Sequence, residues 1–210
     1  MIITFDGPAG SGKSTIAKEV AIRLGFVHFN SGSIFRAITV FLLENNKNLN
    51  LLNQAKVKVE IRNNSQYVYI NNIDYTPILR NIEISKNVAE ISTIPEVQYS
   101  AQKIIKEFSL SNNIVIDGRG LGNEVLKNAE YKFYLDCSIK ERARRRFLEE
   151  KQKGTKITIE EIETQLKLRD KLDKERDIAP LTIPNNAIII DSSNLTIEEV
   201  IDKVLSFIKI

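Results

Sequence analysis

The sequence predicts an α/β fold, a parallel sheet covered by helices on both faces. Two observations carry this. Short apolar runs alternate with segments of helical periodicity, and strands alternating with helices form parallel sheets buried on both sides. The first run leads at once into a glycine-rich turn and a helix. A third observation adds a small antiparallel piece, because residues 45–75 are Asn-rich and show strand alternation instead.

The elements follow in order. Ile2–Phe5 is a buried-strand candidate ending at Asp6. Ile16, Val20 and Leu24, with Ala17 and Ala21 beside them, form one helix face that Gly25 closes. Phe26–Phe29 reads as a second strand and Ile34–Leu43 as a second helix. Val57, Val59 and Ile61 then alternate with polar residues. Asn63-Asn64 offers a turn, Tyr67–Ile70 follows, and Asn71-Asn72 offers a second turn before Ile73, which together make a meander inserted into the α/β core. Ile114–Ile116, Tyr131–Leu135 and Ala187–Ile190 are further strands, the last two each followed by a helical pattern. Residues 149–176 are highly charged, with Lys153-Gly154-Thr155 as a loop, and Thr196 with Glu199 signs the start of the last helix.

Composition narrows the classes. A chain of 210 residues suits one domain, 1–210. With 30 basic and 27 acidic residues the charge is nearly balanced, so nucleic acid is not an expected partner. One Cys excludes an internal disulfide, and one His with one Cys excludes a zinc site of several such ligands. No basic segment precedes the first apolar run, and no stretch approaches the length of a membrane span. A cytoplasmic protein with no membrane partner is expected.

Gly7-Pro8-Ala9-Gly10-Ser11-Gly12-Lys13-Ser14, continued by Thr15, matches the phosphate-loop pattern GxxxxGK[ST] between a strand and a helix. Such glycines let backbone N–H groups converge on phosphates, and the helix N-terminus adds partial positive charge. Lys13 is expected to reach the β- and γ-phosphates and Ser14 to ligate Mg²⁺. The motif names a nucleotide and not a reaction. A GTPase would need an Asn-Lys-x-Asp string, and Asn46-Lys47-Asn48-Leu49 lacks the Asp. ATP-driven motors usually place Asp-Glu after a later strand, and Asp117, Asp136 and Asp191 are followed by Gly118, Cys137 and Ser192. A small-molecule kinase is left.

Three further segments offer anion-binding groups. Ser31, Gly32 and Arg36 follow the second strand, where ligands collect in open α/β sheets. Arg119 lies among Asp117, Gly118, Gly120 and Gly122, and a guanidinium suits bidentate phosphate binding. Arg169, Asp173 and Arg176 share a face if 158–176 is helical. Each also has a plain reading: a solvated Arg36, a flexible turn with an incidental Arg119, a surface ion-pair ladder. Arg142, Arg144, Arg145 and Arg146 crowd one helix start, either as a solvated face or, for one or two of them, against a nucleotide.

Together these residues resemble the bacterial cytidylate kinases, a family of nucleoside monophosphate kinases. The likeness runs through FDGPAGSGKST at 5–15, SGSIFR at 31–36, DGR at 117–119, ERARRRFLE at 141–149 and RDKLDKERDIAPL at 169–181. The resemblance implies a P-loop NTPase fold with a parallel five-stranded sheet flanked by helices. It also implies an acceptor-binding insertion over 45–85 and a helical lid over 150–175. It places Gly7 to Thr15, Arg142 and Arg146 on ATP, and Ser14 on the metal. It places Ser31, Gly32, Arg36, Asp117, Gly118, Arg119, Arg169, Asp173 and Arg176 on the acceptor, Asp173 taking the sugar hydroxyls. Lys13, Arg36, Arg119, Arg169 and Arg176 carry catalysis in this reading. The chain departs from the family at Asn30, usually Asp, and at Phe35, usually Tyr. Ala89, Gln98 and Gly120 stand where the family reads cytosine with a Ser, an Arg and an Asp, leaving Gln98 or Asn123 as possible replacements.

The expected activity is ATP-dependent phosphorylation of a nucleoside monophosphate, CMP or dCMP to the diphosphate, with Mg²⁺, by a monomer. The acceptor phosphate is already an anion, so no general base is needed, in keeping with the lack of a His or paired carboxylates near the motifs. Two alternatives stand beside it. One is a kinase for a different nucleoside monophosphate or small metabolite, a hydroxyl acceptor having only Asp117 as a base. The other is a nucleotide-binding, RNA-associated protein without kinase turnover.

Overall fold

The computed structural model describes residues 1–110, 113–152 and 154–209. Five strands, β1 (Ile2–Asp6), β2 (Val27–Asn30), β6 (Ile114–Asp117), β7 (Tyr131–Asp136) and β8 (Ile188–Asp191), form one sheet in the order β2-β6-β1-β7-β8. Every pairing in it is parallel. The second strand starts at Val27 and ends at Asn30, because Asn30 pairs in register with Asp117.

Side chains alternate across the sheet and split the core in two. Ile114 and Ile116 face the helices α2 (Gly32–Glu44) and α4 (Pro95–Ser109). Val115, with Ile3 and Phe5, faces α1 (Lys13–Leu24) and α7 (Ile197–Phe207). Gly25 ends α1 in the left-handed region at φ 66°, and Thr196 with Glu199 closes a capping box on α7.

The insertion is a separate three-stranded antiparallel sheet of β3 (Val57–Arg62), β4 (Ser65–Ile70) and β5 (Ile73–Asp74). Asn63, Asn64, Asn71 and Asn72 all have positive φ, the requirement of two-residue hairpin turns that Asn meets. Its Val68 and Ile70 pack on Val40 and Phe41 of α2, with Leu79 and with Ile84 of α3 (Ile82–Ile91). A short 3-10 helix, Leu49–Gln54, joins α2 to this sheet.

The charged segment becomes a helical hairpin of α5 (Ile139–Gln152) and α6 (Ile159–Glu175), packed through Ala143, Ile162 and Leu166. Of the loop read at 153–155, Lys153 lies outside the described residues, while Gly154 turns at φ 75°. Among the described residues no helix is long and apolar enough to cross a membrane.

Candidate active site

β1 delivers the chain to Gly7, where φ is 147° and a Cβ would stand 2.2 Å from Leu135 O. Only glycine passes there, so the loop can turn over the end of the sheet into α1. Gly12 caps α1 without a side-chain hydrogen bond, leaving the helix terminus free for an anion. Lys13 Nζ donates to Pro8 O at 2.6 Å and to Ser11 Oγ at 3.3 Å. Burial, with the Arg119 guanidinium nearby, pushes its ammonium down to about 7.

At the other side of the loop lies a polar cluster. Ser14 Oγ donates to Asp117 Oδ2 at 2.5 Å, and Asn30 Nδ2 donates to Ser14 Oγ and to Asp117 Oδ2, both at 3.0 Å. His28 Nε2 is 2.8 Å from Asp117 Oδ1. The histidine thus stands inside the site, contrary to the sequence expectation, because β2 pairs with β6 and sets His28 and Asn30 on Asp117. The resemblance puts Asp117 with the acceptor, and the structure sets its carboxylate beside Ser14. A hydroxyl and a carboxylate are hard oxygen donors of the kind Mg²⁺ takes, with waters and substrate phosphates completing its shell. Among the described residues there is no group of three or more His, Cys, Asp or Glu that could hold a metal by itself.

The arginines converge on one buried carboxylate. Arg119 Nε lies 2.8 Å and Arg169 Nε 3.0 Å from Asp173 Oδ2, and Arg176 Nη1 lies 3.7 Å from Oδ1. Burial alone would raise Asp173, and Arg119, Arg169 and Arg176 together hold it below the usual carboxylate range. Among the described residues Asp173 Oδ1 has no hydrogen-bond partner. Arg36 donates to Leu79 O at 3.1 Å and Ser85 Oγ at 2.9 Å. Burial, then the charges of Arg119, Arg169, Arg80 and Arg146, push its guanidinium down to about 10. Arg36, Arg119, Arg169 and Arg176 against Asp173 leave an excess of positive charge, which favours an anion there.

Arg176 arrives differently from the helical-face expectation. α6 ends at Glu175, and Arg176 is its extended C-cap. Its side chain folds back on Ala179 O, through both Nε and Nη2, and on Arg119 O at 2.7 Å. Burial pushes it down to about 10.

Several expected ligand residues are occupied by the protein itself. Arg142 donates to Cys137 O at 2.9 Å, Ala9 O at 2.9 Å and Asp170 Oδ2 at 2.7 Å, so it braces the phosphate loop from behind. Ser31 Oγ donates to Asp117 O at 2.8 Å, and a Cβ on Gly118 would stand 2.2 Å from that hydroxyl. Gly32 is the first residue of α2, and Thr15 is exposed on α1. Arg146 is exposed and close enough to Arg36 to act on it.

The positions where the resemblance expects base reading are also taken. Gln98 is buried, and its Nε2 donates to Ser92 O at 2.5 Å. Gly120 has φ 76°, and a Cβ there would stand 2.3 Å from Ala179 O. Ala89 O accepts from Ser92 Oγ at 3.0 Å. Asn123 holds Thr182, Ile183 and Asn185. Ser92, which lies 3.4 Å from Arg169 Nη2, and Arg80 near Arg36 escape sequence reasoning. A single Arg at the end of an Asn-rich insertion was the only signal for Arg80.

Residues 3–210 match the family model described as cytidylate kinase. The cytidylate kinase of Caldicellulosiruptor bescii is 39% identical, covering 97% of this chain and 93% of that protein. That of Caldanaerobacter subterraneus subsp. tengcongensis is 41% identical, covering 99% and 94%. Shikimate kinase from Acinetobacter baumannii, solved with shikimate, superposes with a TM-score of 0.50 at 16% identity, covering 98% of this chain and 91% of that one, which establishes the fold alone. With a family match that takes in nearly every residue and relatives of the same length, the chain belongs to the cytidylate kinase family.

Proposed function

We propose that the protein transfers the γ-phosphoryl group of ATP to CMP or dCMP, giving CDP or dCDP and ADP. The observation that carries this is the adjacency of two anion sites. Lys13 of the phosphate loop and the cluster of Arg36, Arg169 and Arg176 all feel the charge of Arg119. A donor phosphate chain at Gly7 to Ser14 would therefore face an acceptor phosphate held by Arg36, Arg119, Arg169 and Arg176.

In the reaction an acceptor phosphate oxygen forms a bond to the γ-phosphorus as the bond to the β–γ bridging oxygen breaks. The acceptor is already ionised, so His28 and Asp117 need take no proton. Lys13 and the arginines neutralise the charge that shifts between the two phosphates, and they are positioned in advance. Mg²⁺, held by Ser14 with Asp117 behind it, would supply charge neutralisation on the β- and γ-oxygens. Asp173 Oδ1, which has the Arg176 guanidinium at 3.7 Å but no hydrogen bond among the described residues, offers an acceptor for the sugar hydroxyls. Residues 45–85 act as the acceptor-binding insertion and 150–175 as the lid that excludes water. The chain acts as a monomer in the cytoplasm, where its substrates are.

A broader acceptor range is a second reading. Gln98 Nε2 is bonded to Ser92 O and Gly120 carries no side chain, so the two charged groups expected to read the base are missing. The RNA-associated alternative has less support, since Arg142, Arg144 and Arg145 are already paired to Asp170 and Glu141. A Mg·ATP assay across CMP, dCMP, UMP, AMP and GMP tests all three. Turnover highest on CMP or dCMP is expected, similar rates on several bases would favour the broader reading, and no turnover on any would refute the kinase.

A further inference from the structure

Asp6 is wholly buried, and the reaction just described makes no use of it. Its Oδ1 accepts the Leu121 N–H at 2.9 Å and its Oδ2 the Gly122 N–H at 2.8 Å. Those amides open the single π turn Leu121–Val125, two residues after Arg119. Gly122 has no Cβ to block the approach, since one would stand 3.3 Å from Asp6 Oδ2. Asp6 is also the residue immediately before Gly7. One carboxylate therefore joins the entry of the phosphate loop to the loop that carries Arg119.

We propose that Asp6 is a positioning residue that fixes the distance between the donor phosphate site and Arg119 of the acceptor site. β1 does not need this carboxylate to hold its place, because β6 and β7 pair with it on either side. A side chain at the wholly buried end of a strand is normally apolar, and burying a carboxylate is costly unless it is hydrogen-bonded. Among the described residues, the bonds go to the Arg119 loop alone. Burial pushes the Asp6 carboxyl up, while the amides of the Arg119 loop and nearby Lys13 favour its charged form. Asn at position 6 would keep the shape, lose the charge and turn an NH₂ group toward one of the two amides. The Arg119 loop would loosen while the glycines that define the phosphate loop stayed in place.

The inference rests on the kinase reading, and the experiment separates the two. Asp6→Asn and Asp6→Ser are compared with the wild-type protein, folding being checked by circular dichroism. The variants are expected to show a CMP KM raised about 10-fold and a kcat lowered about 10- to 100-fold, the scale for misplacing a reacting group by about 1 Å. Binding of a fluorescent ATP analogue should stay within about 3-fold, because the loop that binds it is left intact. A residue serving stability alone would lower the melting temperature without this split. Folded variants with both constants within about 2-fold of wild type, or equal losses for ATP and CMP, would overturn the proposal, as would failure of both variants to fold. If the wild-type protein turns over no monophosphate, the kinase reading fails on its own. Equilibrium binding of CMP and ATP to wild type and variants then decides the role of Asp6 by the same split.

Discussion

Replacing Gly120 by Asp restores the residue that the cytidylate kinase resemblance expects there, and the structure says that this restoration harms the protein. Gly120 has φ 76°, a backbone region that disfavours a side chain by roughly 1–2 kcal/mol. A Cβ would also meet Ala179 O at 2.3 Å, Ala179 C at 2.9 Å and Pro180 O at 3.0 Å. All three are backbone atoms, so the segment must shift, at a further cost of about 1–3 kcal/mol. The sum, about 2–5 kcal/mol, corresponds to a fall in melting temperature of roughly 5–15 °C for a chain of this size. The shift also moves the carbonyl that accepts from Arg176 Nε at 2.8 Å, so the acceptor clamp should suffer with it. Thermal melting and kcat/KM for CMP measure both. A Gly120→Asp protein that melts within about 2 °C of wild type and prefers CMP more strongly would refute the reasoning.

Two further outcomes follow from the charges of the site. Lys13→Met should abolish transfer and raise the melting temperature near pH 7, because it removes an ammonium that burial holds down at about 7. Phosphates favour the charged form, so ATP binding above pH 7 should take up a proton and weaken as pH rises. Calorimetry in buffers of different ionisation enthalpy reads this, and pH-independent affinity between pH 7 and pH 9 would count against it. The arginines of α5 should divide. Arg142→Ala strands Asp170 and two backbone carbonyls and should cost about 3–5 kcal/mol in urea denaturation. Arg146→Ala should leave stability within about 0.5 kcal/mol while changing the kinetics.

The alternation of apolar runs and helical faces was enough to find every strand of the parallel sheet, because each strand is a short apolar run, even edge strand β8, where Ile189 is exposed. The meander was legible for a local reason, two Asn-Asn pairs that tolerate positive φ. The Thr158–Glu161 capping box on α6 carries the same signature as Thr196–Glu199 and could have been read the same way. The phosphate loop and the acceptor arginines were visible as residue types at known spacings. Their division of labour was not. That Arg142 is buried against Asp170 while Arg146 is exposed depends on which side of α5 meets another helix. That His28 and Asn30 meet Asp117 depends on strand register across a gap of about ninety residues. Asp6 looked like the end of a strand, and its partners are backbone amides, which leave no mark in a sequence.

The brace made by Arg142 has a consequence for how the two substrates communicate. It fastens Ala9 of the phosphate loop to Asp170, and Asp170 stands one helical turn short of Asp173, the centre of the acceptor clamp. The C-terminal turns of α6 thus touch the phosphate loop through Asp170 and Arg142 and the arginine cluster through Asp173. A displacement of the phosphate loop by nucleotide should therefore be felt at Arg119 and Arg169, and the reverse equally. Such a linkage is thermodynamically reciprocal: whatever factor ATP imposes on the affinity for the acceptor, the acceptor imposes on ATP.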